Sequence, residues 1–180
     1  MPHYTCDPNI QVTGTAIIPL FTNLEHEQIQ PVLEKHKLDQ IDQSQWYPVQ
    51  KMLDVFSDIS ELPGSMFNFV AIGMAATEYG YDNLPPEMKK MSLDALLLTY
   101  SRIWQQRHRN TTSEMIKTEM VDPHHIRITV TTPYPDDLMY GIFYAYARKL
   151  LKTPFTVKYD DNVVRRDEGG EVTVIHINWE

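Results

Sequence analysis

Apolar residues recur along this chain with two periods, and the change comes near residue 110. From Pro48 to Ile59, residues Val49, Met52, Leu53, Phe56 and Ile59 stand three or four apart. That spacing puts them on one face of a helix. The same period returns over Ser92 to Arg107, with Leu93, Leu96, Leu97, Tyr100, Ile103 and Trp104 inward. Between the two, Ser65 is placed to cap a helix whose buried face would be Phe67, Val70, Ala71, Met74 and Ala75. Gly73 falls inside it, where glycine costs about 1 kcal/mol against alanine. Close packing or a bound ligand would explain it. Glu25 to His36 is a further helix, kinked or broken at Pro31. Tyr79 to Pro86 reads as a loop.

Strand signals flank this helical block. Gln11 to Phe21 is β-branched and apolar and predicts a first strand. After residue 110, Ile126, Ile128 and Val130 alternate with His125, Arg127 and Thr129, as in a half-buried strand. Met115 to Val121 reads as a strand in competition with a short capped turn at Thr111–Glu114. Phe155 to Tyr159 is a strand, and 163–166 with 172–179 predict a hairpin around Asp167–Gly170. Thr173, Ile175, Ile177 and Trp179 share one face of the last strand.

The β-branched run from Ile126 stops at Pro133, and Pro135 then pre-sets φ for a helix over 135–151. Asp136 and Asp137 fall in its first turn and Arg148, Lys149 and Lys152 at its end, an order that complements the helix dipole. A strand thus passes through a rigid elbow into a helix carrying Phe143, Tyr144 and Tyr146. Helices and strands are segregated, which predicts an α+β fold: an N-terminal strand and helical layer packed on a C-terminal antiparallel sheet with one inserted helix. Residues 1–180 are expected to form a single domain, with 1–10 a flexible lead-in.

Charge narrows the partners. The net charge is −8, which disfavours nucleic acid or an anionic membrane surface. No apolar stretch approaches the roughly 20 residues of a membrane span. One cysteine, Cys6, allows no internal disulfide, and the N-terminus lacks a secretory pattern, so a cytoplasmic protein is expected. Nine Met, ten Tyr, six Phe and three Trp can fill a core, line a pocket for a flat apolar ligand, or build a dimer face.

Candidate chemistry is sparse. His108, between Arg107 and Arg109, is expected at a solvated helix end. His124 and His125 would point to opposite faces of a strand and cannot share a metal without distortion. His176 is expected on the surface. Asp136 and Asp137 could be paired acid–base carboxylates but read better as a helix N-terminus. No phosphate loop, nucleophile elbow or zinc spacing is present, so no catalytic residue is assigned and an enzyme is the least supported class.

Val12-Thr13-Gly14, Trp46-Tyr47-Pro48, Ala71-Ile72-Gly73, Pro133-Tyr134-Pro135 with Gly141, and Gly169-Gly170 before a strand ending in Trp179 occur in that order. Together they resemble the heme–nitric oxide binding (H-NOX)-like superfamily over roughly residues 11–179, a group that includes 4-vinyl-reductase-like domains and trafficking-adaptor relatives. The resemblance implies a pocket between helices and sheet. Its gas-sensing branch holds heme on one histidine, for which His108 is the candidate metal ligand. That branch grips the heme propionates with Tyr-x-Ser-x-Arg; the matching positions here are Tyr134, Asp136 and Leu138. The tyrosine is kept, the serine and arginine are not, and Asp136 would repel a propionate. The vinyl-reductase-like branch often carries C-terminal cysteines, which this chain lacks.

The reading that results is a non-enzymatic sensory or regulatory domain. It would bind an apolar or flat small molecule between helices and sheet, lined by Phe67, Val70, Met74, Trp104, Tyr134, Leu138 and Ile142. The cofactor is unknown, with heme on His108 as one alternative and a ligand-free dimeric interaction module as another. At 180 residues, occupancy would be read by a separate signalling protein or a second copy.

Overall fold

The computed structural model describes residues 4–22, 26–62, 68–111 and 114–180, without the side chains of 26–28. Strand β1 (Gln11–Thr13) is followed at once by helix α1 (Gly14–Phe21). Helices α2 (His26–His36), α3 (Val49–Ser60), α4 (Phe69–Asp82), α5 (Leu93–Leu98) and α6 (Tyr100–Arg107) follow, with β2 (Trp46–Pro48) before α3. Strand β3 (His108–Arg109) continues directly from α6. Strands β4 (Ile116–Asp122) and β5 (His125–Val130), helix α7 (Asp136–Leu150), and strands β6 (Phe155–Tyr159) and β7 (Thr173–Trp179) complete the chain.

The strands form two antiparallel sheets. A small one has the order β2-β1-β3, and the larger has the order β4-β5-β7-β6. Helix α7 is inserted between β5 and β6. The α+β class and the inserted helix are as expected. In β5, Ile126, Ile128 and Val130 are buried and the residues between them are half-exposed. Ile126 pairs with Ile177 and Ile128 with Ile175, so the apolar faces of β5 and β7 coincide.

Several boundaries differ from the sequence reading. The predicted strand Gln11–Phe21 stops at Thr13 and becomes α1. Ile17, Leu20 and Phe21 are buried at helical spacing, a signal masked by the β-branched composition. Residues 79–82 belong to α4 rather than a loop. The helix over Ser92–Arg107 is two helices, because it breaks at Thr99. The hairpin predicted for 163–166 and 172–179 is instead formed by β6 and β7, with Val157 opposite Ile177. Helix α4 begins at Phe69 with the Asn68 side chain accepting from Ala71 N–H, while Ser65 and Phe67 lie outside the described residues.

Helices α4 and α7 cross at backbone contact. A Cβ on Gly73 would overlap the Leu138 carbonyl, and one on Gly141 would overlap the Val70 carbonyl. Close packing therefore accounts for Gly73. Thr77 Oγ donates to Gly73 O at 2.9 Å, and the pairs Glu78–Arg148 and Asp82–Lys149 tie the exposed ends of the two helices. At the N-terminus, Ile10 is buried and Gln50 accepts from Cys6 N–H and donates to Tyr4 O.

Candidate functional site

Helix α6 turns Tyr100, Ile103, Trp104 and Arg107 to one side at helical spacing. These residues, with parts of α1, α4 and α7, surround a partly enclosed cavity of about 70 Å³. Helix α1 contributes Ala16, Pro19 and Leu20, and α4 contributes Ala76, Thr77 and Gly80. His108 of β3, Tyr134 of the elbow, and Leu138, Met139, Ile142 and Tyr146 of α7 complete the lining. The cavity lies among the helices and the elbow, with no lining residue from the four-stranded sheet.

Four of the seven expected lining residues meet there: Trp104, Tyr134, Leu138 and Ile142. Val70 and Met74 are half-buried elsewhere on α4, and Phe67 is outside the described residues. Residues Tyr100, Arg107, His108 and Tyr146 were not among the seven. The spacing of Tyr100, Ile103, Trp104 and Arg107 was visible in sequence, but it does not say which neighbour the face meets.

His108 is not at a solvated helix end. It is 6% exposed, because the chain passes from α6 straight into β3 and pairs opposite Val12 of β1. Its ring stacks on Trp104 with centroids 3.8 Å apart and planes 11° from parallel. Nδ1 lies 3.0 Å from the Trp104 carbonyl, which can only accept, so Nδ1 carries the proton. Nε2 is then the acceptor for the Tyr134 hydroxyl at 2.8 Å. Burial holds the imidazole neutral, lowering its pKa from 6.5 to about 4; the bond to Trp104 O acts the other way, and the nearby Arg107 charge adds to the lowering. Burial also raises the Tyr134 hydroxyl well above the ordinary tyrosine range.

The elbow itself is closed by the chain. Asp136 is fully buried, accepting from Thr173 Oγ–H at 2.6 Å and from Asp167 N–H at 2.9 Å. Asp167 in turn accepts from Asp136 N–H at 2.8 Å. Arg166 donates to the Thr132 carbonyl, and Arg165 lies over the Tyr159 ring beside Asp137. Burial raises the Asp167 carboxyl from 3.8 to about 6. Asp136 and Asp137 thus bind the elbow to the 160–170 loop, as a helix N-terminus does, rather than facing a shared substrate.

On the larger sheet, His125 Nε2 lies 2.7 Å from His176 Nδ1, and His176 Nε2 lies 3.1 Å from Asp160. No group of three or more potential ligands suited to a metal ion occurs among the described residues.

As arranged, these residues do not fit heme. The Tyr134 hydroxyl occupies the Nε2 lone pair an iron would need. A cavity of about 70 Å³ is well short of the roughly 300–1,000 Å³ of sites for drug-sized ligands. The positions of the propionate-gripping serine and arginine are Asp136, spent inside the elbow, and Leu138, in the cavity wall.

No protein-family profile matches this sequence, and no curated protein matches it significantly. Solved structures do match. An H-NOX protein from S. oneidensis in the Fe(II)NO ligation state superposes with a TM-score of 0.72 at 11% identity, over 93% of this chain and 99% of that one. A point mutant of T. tengcongensis H-NOX gives 0.71 at 15% identity, over 93% and 94%. A protein studied for modulation of heme redox potential by porphyrin distortion gives 0.69 at 15% identity, over 92% and 97%. Agreement over nearly the full length of both chains, at identities this low, is agreement in architecture: this chain has the H-NOX fold.

Proposed function

We propose that this chain is a non-enzymatic, ligand-binding sensory domain whose small-molecule ligand occupies the cavity bounded by α1, α4, α6 and α7. The observation that carries this reading is the cavity itself, set against a buried histidine in a fold whose solved examples include heme proteins. Trp104, Tyr134, Leu138 and Ile142 are its proposed lining, with Tyr100, Arg107 and Tyr146 added. A ligand shifts a conformational equilibrium only as far as it binds two states differently. A separate signalling protein would read that shift.

Heme on His108 is the second reading, open only if the Tyr134 hydroxyl gives up Nε2. Nδ1–H is held by a backbone carbonyl, the usual arrangement behind a metal-bound imidazole. Hemin titration of the purified protein, followed from 250 to 700 nm, separates the two. The expected result is no stoichiometric Soret band for the native chain. A sharp band that His108→Ala abolishes would replace the non-heme reading with a heme sensor. No helix among the described residues is long and apolar enough to cross a membrane.

A further inference from the structure

We infer that the cavity selects a short-chain monocarboxylate, an anionic head on an apolar tail of about butyrate's size. This rests on the ligand-binding reading above and names its ligand class. The cavity wall leaves hydrogen-bond donors without partners. Trp104 is buried and lends its ring to the wall; its indole N–H has no partner but is sealed from the cavity as well as from solvent, so it offers no donor to a ligand. The Arg107 side chain, half-buried in the same wall, makes no hydrogen bond or ion pair among the described residues. The hydroxyls of Tyr100 and Tyr146, both residues buried, likewise have no hydrogen bond among the described residues. The remaining polar side chains are already served: His108 and Tyr134 by each other and by Trp104 O, and Thr77 by Gly73 O.

A guanidinium can only donate, and an unpaired tyrosine hydroxyl is free to. The wall therefore offers unused donors and one unpaired positive charge, and it contains no aspartate or glutamate. The missing component is an acceptor with a negative charge. This is notable in a chain of net charge −8, where acids outnumber Lys and Arg by 24 to 16. A cationic ligand would meet Arg107 with like charge, and a neutral one would leave it without a counter-ion. The rest of the wall is apolar, with Pro19, Leu20, Met139 and Ile142, so a bare inorganic anion would leave that surface uncovered. At roughly 10–15 Å³ for each water-sized group, the cavity of about 70 Å³ has room for about five to seven such groups. A planar carboxylate matches a guanidinium fork better than it matches an ammonium.

The test is isothermal titration calorimetry of the full chain with sodium butyrate, 1-butanol and butylamine in parallel. Butyrate is expected to bind saturably with 1:1 stoichiometry, at least tenfold more tightly than either counterpart. Arg107→Met should weaken butyrate at least tenfold while leaving butanol unchanged, with Arg107→Gln as a second variant should the first fail to fold. The side-chain Nε–H resonance of Arg107, assigned through Arg107→Met, should move downfield with butyrate and not with butanol. Equal binding of butanol and butyrate, or butyrate affinity indifferent to Arg107, would overturn the carboxylate class and leave the cavity a ligand site. Absence of binding by all three compounds would overturn the ligand-binding reading with it.

Discussion

At His108 and Asp167, burial acts on two ionisable groups in opposite senses. His108 is depressed from 6.5 to about 4, so its stabilisation is complete above pH 6.5 and is lost as pH falls toward 4. Asp167 is raised from 3.8 to about 6, so its contribution is complete below pH 3.8 and is lost as pH rises through 6. Between pH 4 and 6 the two slopes oppose one another. Urea unfolding across that window is expected to show Asp167→Asn losing stability steadily on acidification. His108→Gln should instead gain stability over the same range. Parallel curves for the two variants would contradict the assigned directions. The Tyr134 hydroxyl belongs to the same scale. Tyr134→Phe leaves Nε2 of a buried imidazole without its donor, at a cost of about 1–3 kcal/mol, measurable by the same denaturation.

At the scale of elements, the crossing of α4 and α7 depends on two missing side chains. Gly73 faces the Leu138 carbonyl and Gly141 faces the Val70 carbonyl, and neither helix backbone can yield without moving residues of the cavity wall. Gly141→Ala is therefore expected to destabilise by about 1–3 kcal/mol, as overpacking does, even though alanine is the better helix former. Thermal denaturation measures the loss. A neutral or stabilising effect would mean that the helices cross less closely than described. The elbow joins the same helix to the larger sheet through Asp136, Thr173 and Asp167, so α7 is tied at its start by polar contacts and along its length by apolar ones.

Over the whole molecule, ligand binding and folding are linked. A compound that binds only the folded chain stabilises it by about 2.7 kcal/mol at a hundred times its Kd. For a chain of this size each kcal/mol raises Tm by roughly 2–4 °C. Butyrate at that concentration should therefore raise the melting temperature by roughly 5–11 °C by those two relations. Differential scanning calorimetry checks this, and at the same butyrate concentration the increment should fall by about half or more in Arg107→Met. An unchanged native Tm at saturating butyrate would count against both the site and its ligand class.

Local pattern was enough for much of this fold. The alternation of Ile126, Ile128 and Val130, the helical spacing from Val49 to Ile59 and the proline elbow before Asp136 each determine an element through nearest-neighbour physics. Their segregation along the chain sets the α+β class. The resemblance carried by short patterns such as Pro133-Tyr134-Pro135 agrees with the architecture of the solved neighbours. Other features depended on contacts between residues distant in sequence. The β-branched segment after Thr13 winds into a helix because Ile17, Leu20 and Phe21 can all be buried only that way. His108, flanked by two arginines, is buried because β3 is drawn beside β1. Arg107 faces a cavity without a counter-ion because α1, α4 and α7 bring no carboxylate to that wall. Sequence determines which face of a helix is apolar; only packing decides what that face meets, and the unused donors around the cavity exist at that level alone.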